Sequence, residues 1–105
     1  MCNYSLLAHS TSGYLIQCNA CNHFQLAFGT TEIVMDAEDL NGFYIQLSKQ
    51  KYPLEENAVL RKTIRIKIVD SKVALALTPF ETKELIGMID EARATLEVKK
   101  LLCEF

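Results

Sequence analysis

The stretch from Gly13 to Met35, GYLIQCNACNHFQLAFGTTEIVM, decides the fold. Within it His23 to Phe28 alternates cleanly, with Phe24, Leu26 and Phe28 on one face and His23, Gln25 and Ala27 on the other. That is the period-two signature of a half-buried strand. Gly29-Thr30 turns the chain, and Thr31 to Met35 continues as a strand rich in β-branched residues. Tyr14 to Cys18 alternates only in part, but it leads into Cys18-Asn19-Ala20-Cys21, which places both cysteines at the tip of a hairpin. Upstream, the apolar segment Asn3 to His9 is closed by the turn formers Ser10-Thr11-Ser12-Gly13. Four strands joined by short turns predict an antiparallel meander.

Past Asp36 the period changes. Leu40, Phe43, Tyr44 and Leu47 recur at helical spacing, with Asp36 placed as N-cap and Asp39 at the third helical position. This helix must stop by Tyr52, because Pro53 disfavours helical backbone at the preceding residue. Pro53 to Ala58 reads as a polar connector. Arg61 to Val69 then alternates, Ile64, Ile66 and Ile68 against Thr63, Arg65 and Lys67. Asp70-Ser71-Lys72 turns into Val73 to Thr78, giving a second hairpin. Thr78-Pro79-Phe80-Glu81 has the form of a helix start, with Thr78 as N-cap, Pro79 at the first position and Glu81 closing a capping box.

The last helix presents Leu85, Ile89, Ala92 and Leu96 to the sheet. Val98, Leu101, Leu102 and Phe105 form another helical set, but the step from Leu96 to Val98 turns the apolar face by roughly 200°. The two stripes cannot bury against one surface. A helix of some 25 residues is about 37 Å long at 1.5 Å per residue, so its end is expected to overhang the domain.

Composition narrows the class. The chain has 105 residues, half of them apolar, with a formal charge of −2. That length fits one domain, 1–105, with a core of its own. Residues 1–60 carry two basic and six acidic side chains, and residues 61–105 carry nine and seven. An asymmetry this small argues against nucleic acid as a partner. The N-terminus lacks the basic region and unbroken apolar run of a signal peptide, and no apolar run approaches membrane-spanning length. A soluble cytoplasmic protein is expected.

From Met1 to Thr31 there is no Asp, Glu, Lys or Arg. With about a quarter of residues charged in ordinary domains, a run of this length arises by chance about once in several thousand placements. Interface cores are depleted of charge, so a charge-free strand face points to a partner, as does a misdirected apolar stripe at a helix end. Solvent-facing Ser, Thr and Gln on one side of an α+β sheet give a similar pattern without a partner.

The four cysteines are Cys2, Cys18, Cys21 and Cys103. A C-x-x-C pair at a turn between strands is the knuckle that supplies two thiolates to zinc, and no second pair is present. Pairing of the first two strands about Thr11 and Ser12 sets residues summing to about 23 opposite one another, which brings Cys2 beside Cys21. Cys2, Cys18, Cys21 and His23 then form a Cys₃His candidate metal site. Two alternatives stand beside it. The cysteines serve as small packing residues, as Cys103 does in the terminal stripe, or Cys18 and Cys21 form a thiol-redox pair. The redox reading wants the first cysteine at a helix N-terminus, and here a strand follows. Asp36, Glu38 and Asp39 are a helix-cap cluster rather than a catalytic one, and no catalytic triad or phosphate loop is present.

Met1-Cys2-Asn3-Tyr4, Gly13-Tyr14, Cys18-x-x-Cys21 and Phe24-Gln25-Leu26-Ala27-Phe28-Gly29-Thr30 together resemble a family of small uncharacterised bacterial proteins. The resemblance is distinctive over roughly the first 45 residues. It implies a bacterial, cytoplasmic setting and no particular activity.

The sequence therefore predicts an α+β domain of order β-β-β-β-α-β-β-α, an antiparallel sheet of about six strands with two helices packed on one face. The function expected is that of a small non-enzymatic protein-interaction module. It binds a protein partner or a second copy as a homodimer, touches neither nucleic acid nor membrane, and carries a structural zinc site as an option.

Overall fold

The computed structural model describes residues 3–49, 62, 64–68 and 72–103. Its elements follow the expected order: β1 (Tyr4–Ser10), β2 (Gly13–Cys18), β3 (Phe24–Phe28), β4 (Thr31–Met35), α1 (Ala37–Ser48), β5 (Ile64–Lys67), β6 (Ala74–Leu77) and α2 (Pro79–Cys103). The Pro53 to Ala58 connector and most of the Asp70-Ser71-Lys72 turn lie outside the described residues.

The first four strands form an antiparallel meander in the order β1-β2-β3-β4. Gly29 closes the β3–β4 hairpin with φ +61, while Thr30 keeps a negative φ, the arrangement of a type II′ turn that suits the twist of the strands. Gly13 answers to a different constraint. A Cβ there would lie 1.8 Å from the Ala27 carbonyl oxygen, so only glycine lets β2 approach β3 this closely.

The β1–β2 ladder keeps the expected register near the turn, with Ala8 opposite Leu15, His9 opposite Tyr14 and Ser10 opposite Gly13. It then slips by one residue, so Leu6 faces Ile16 and Tyr4 faces Cys18. Leu7 is the extra residue of a β-bulge. Two residues opposing one lets both Leu7 and Ala8 bury against the core. Beyond the bulge paired residues sum to 22 rather than 23, and Asn3 accepts the Asn19 N–H at 2.7 Å.

Among the described residues the strands divide between two sheets and do not make the expected single six-stranded one. β5 and β6 make a separate two-stranded sheet. Alternation shows which face of a strand is buried but says nothing about which edge it hydrogen-bonds. The hairpin joins the fold through its side chains: Ile64, Ile66, Leu75 and Leu77 enter the same buried cluster as the meander and the helices.

Both helices lie on one face of the meander, and both start with reciprocal caps. At α1, Asp39 N–H donates to Asp36 Oδ1 at 2.7 Å and Asp39 Oδ2 accepts from the Asp36 N–H at 3.5 Å. At α2, Glu81 N–H donates to Thr78 Oγ1 at 3.0 Å and Thr78 N–H donates to Glu81 Oε1 at 2.9 Å. Each box satisfies backbone donors that a helix start leaves without intrahelical partners. Burial pushes the Glu81 carboxyl up, but hydrogen bonds from Lys62 and Thr78 and the Lys62 charge outweigh it and hold the group below the ordinary carboxylate range.

Helix α2 buries Leu85, Met88, Ile89 and Ala92, and leaves Val98, Leu101 and Leu102 exposed. Two contacts pin it along β1. Ser10 Oγ donates to Glu84 Oε2 at 2.9 Å, and Thr95 Oγ1 lies 3.1 Å from the Leu7 carbonyl oxygen. Glu84 and Thr95 are eleven residues apart, close to three full turns, and so share one side of the helix.

Candidate functional site

Directly paired residues of an antiparallel ladder share a face, so the register sorts the helix-free side of the meander into rows. Leu6, Ile16, Gln25 and Val34 cross all four strands as one row. His9, Tyr14, Ala27 and Glu32 form the next. Tyr4 and Cys18 begin a third, which His23 extends through the bond from Cys18 N–H to the His23 carbonyl at 2.8 Å.

This outer face is apolar to an extent that β3 alone does not reveal. Tyr4 is 51% exposed, Leu6 58% and Val34 60%, with Tyr14 also open to solvent. Glu32 is the one Asp, Glu, Lys or Arg on the three rows. The sequence reading found the face through His23, Gln25 and Ala27 and missed Leu6, Ile16 and Val34. Adjacent Leu6 and Leu7 were the available signal, since consecutive strand residues outside a bulge point to opposite faces and one of the pair must turn away from the core.

At one end of this face sits the cysteine corner. Asn19 to Asn22 form the loop joining β2 to β3, closed by Asn22 N–H donating to the Cys18 carbonyl at 2.8 Å. Asn22 has φ 60, a left-handed conformation that Asn tolerates better than most residues. Ser5 Oγ donates to Asn19 Oδ1 at 3.0 Å and ties the loop to β1. Cys18 is 2% exposed yet stands outside the main core cluster, whereas Cys21, in the loop, and His23 are exposed.

Of the predicted metal ligands, Cys18 and His23 become cross-strand neighbours, Cys21 lies in the loop between them, and Cys2 falls outside the described residues. Among the described residues no three His, Cys, Asp or Glu side chains converge as a metal site would require. Three thiols and an imidazole remain a donor set suited to zinc. The chain passes from Cys21 into β3, so the pair does not open a helix as the thioredoxin-like arrangement does.

A second concave feature lies between α1 and α2. Tyr44 Oη donates to Asp90 Oδ1 at 2.6 Å, and the Arg93 guanidinium stands 4.5 Å from the centre of the Tyr44 ring. The bond to Asp90, with desolvation and the Asp90 charge, raises the Tyr44 phenol above its usual range.

A family of unknown function, DUF6686, matches residues 1–103. The chain belongs to DUF6686. No curated protein and no solved structure matches it significantly. For this DUF6686 chain no helix among the described residues is long and apolar enough to cross a membrane; α2 has the length but carries charges throughout.

Proposed function

We propose that the chain is a non-enzymatic interaction module that binds protein through the outer face of its meander, with a second copy of itself as the first partner. A cytoplasmic setting goes with this reading. The observation that carries it is the row Leu6, Ile16, Gln25 and Val34, which crosses the whole sheet without a charge and ends in two exposed apolar side chains. Water against such a row is released when another sheet packs on it at a separation of about 10 Å.

Size limits the strength of the contact. Four strands about 4.8 Å apart and five residues deep offer a footprint of about 19 by 17 Å. That is less than half of the roughly 800 Å² per partner of a standard interface. Association through this face alone is therefore weak, with Kd of about 10 µM or higher. Val98, Leu101 and Leu102 at the end of α2 are a second apolar surface that would extend it. Dilution of isotope-labelled protein tests the assignment. Amide shifts that move with concentration at Leu6, Tyr14, Ile16 and Val34 support it, and concentration-dependent shifts confined to the helical side contradict it.

A structural zinc ion held by Cys2, Cys18, Cys21 and His23 is the second reading, favoured by the cross-strand pairing of Cys18 with His23. It requires the loop thiol of Cys21 and that of Cys2 to close on the pair. The metal would fix the β2–β3 loop rather than take part in chemistry.

A further inference from the structure

The cleft between α1 and α2 has a volume of about 180 Å³. Phe24, Leu40, Ile89 and Leu96 supply its apolar walls, and Asn41, Tyr44 and Arg93 stand among its polar lining. Phe24, Leu40 and Ile89 are themselves buried, so the cleft opens directly onto the core and is not a surface dimple between long side chains. An apolar cavity of about 150 Å³ is enough to admit benzene. The space here fits one six-membered ring with a short tail.

The charge at the rim selects the tail. Among the described residues no carboxylate stands within ion-pairing distance of Arg93. Its guanidinium rests on the Tyr44 ring, which orients the fork without neutralising it. Asp90, one helical turn away, accepts the Tyr44 hydroxyl and does not line the cleft. An acid is thus used to hold the tyrosine, while the adjacent cation lines the cleft.

We propose that this cleft binds a small aromatic monocarboxylate, the ring seated between Leu40, Ile89 and Leu96 and the carboxylate held by Arg93 with the Asn41 amide as a second donor. A planar guanidinium matches a carboxylate in bidentate fashion, and an apolar floor with few polar groups at the rim is the usual build of a small-ligand site. A ligand of about eleven heavy atoms has an affinity of roughly millimolar Kd at ordinary ligand efficiency. The site lies on the helical side of the sheet and is independent of the proposed self-association.

The test is titration of isotope-labelled full chain with 3-phenylpropionate and, separately, with 3-phenylpropan-1-ol, followed by amide shifts. The expected result is saturable change at Asn41, Tyr44, Ile89, Arg93 and Leu96, with the acid binding about fivefold more tightly than the alcohol. Arg93→Gln should bring the acid down to the affinity of the alcohol and leave the alcohol unchanged. The comparison of acid with alcohol on the unaltered protein stands even if the variant folds poorly. No saturable change in the cleft up to about 10 mM acid, or equal affinity for acid and alcohol, would overturn the proposal.

Discussion

The hydroxyl of Thr95 in α2 reaches the carbonyl oxygen of Leu7, the bulged residue of β1, at 3.1 Å. Leu7 has no partner in the β1–β2 register, so the helix supplies a hydrogen bond where the ladder is interrupted. The same hydroxyl lies 3.0 Å from the Glu91 carbonyl and shares one proton between the two. Thr95→Val keeps the shape and removes the donor. A loss of about 1 kcal/mol is expected in chemical denaturation, with increased hydrogen exchange around Leu7. Unchanged stability would mean that the bulge is held by side-chain packing alone.

Gly13 offers a sharper backbone test. With a Cβ 1.8 Å from the Ala27 carbonyl, Gly13→Ala must push β2 away from β3. We expect a loss of about 2–4 kcal/mol. For a domain of this size that lowers Tm by about 10 °C or more. Gly29→Ala, which meets no neighbour but keeps φ +61, should lose only about 1 kcal/mol. Thermal unfolding of the two variants side by side checks the order.

Acid should act on the start of α2. The Glu81 carboxyl is held below its ordinary value in the folded chain, so the unfolded chain takes up its proton first as the pH falls. Its contribution is complete above the unfolded value, about 4.3, and disappears as pH drops through the lower folded value. Glu81→Gln should be less stable than the parent at pH 7 by about 1 kcal/mol, and the difference should shrink in that acid window. Lys62 is exposed and Glu81 only partly buried, so the ion pair itself contributes little and most of the loss is that of the cap. A difference that grows on acidification would contradict this.

The zinc reading makes its own prediction. Protein purified without chelator should carry one equivalent of zinc, and EDTA should lower its Tm. Cys18→Ser and Cys21→Ser should each abolish the metal. Metal-free protein in which Cys21 reacts rapidly with a thiol reagent while Cys18 stays protected by burial would remove the zinc site and leave a packed thiol.

What the sequence discloses here depends on the range of the cause. Asp36 with Asp39 and Thr78 with Glu81 act across three residues, and both caps were legible. The alternation of Phe24, Leu26 and Phe28 fixed the inner face of β3 for the same reason. The slip at Leu7 was not legible, because it is settled by Leu7 and Ala8 both finding room in the core under α2. The division into two sheets was hidden too, since it turns on which backbone edges meet. The cleft beside Arg93 depends on Tyr44 meeting Asp90 across 46 residues of chain, which no local pattern encodes. The charge-free run to Thr31 marked the outer face, but its apolar row emerged only with the register.

Sedimentation equilibrium over about 1–500 µM, on the parent and on a Leu6→Lys, Val34→Lys double variant, tests the interaction surface most directly. Both side chains are exposed, so the variant should keep its fold and its Tm within a few degrees. The parent should self-associate with Kd between about 10 and 500 µM, and the variant at least tenfold more weakly. A parent that remains monomeric throughout the range, or a variant that associates as strongly as the parent, would contradict self-association through this face.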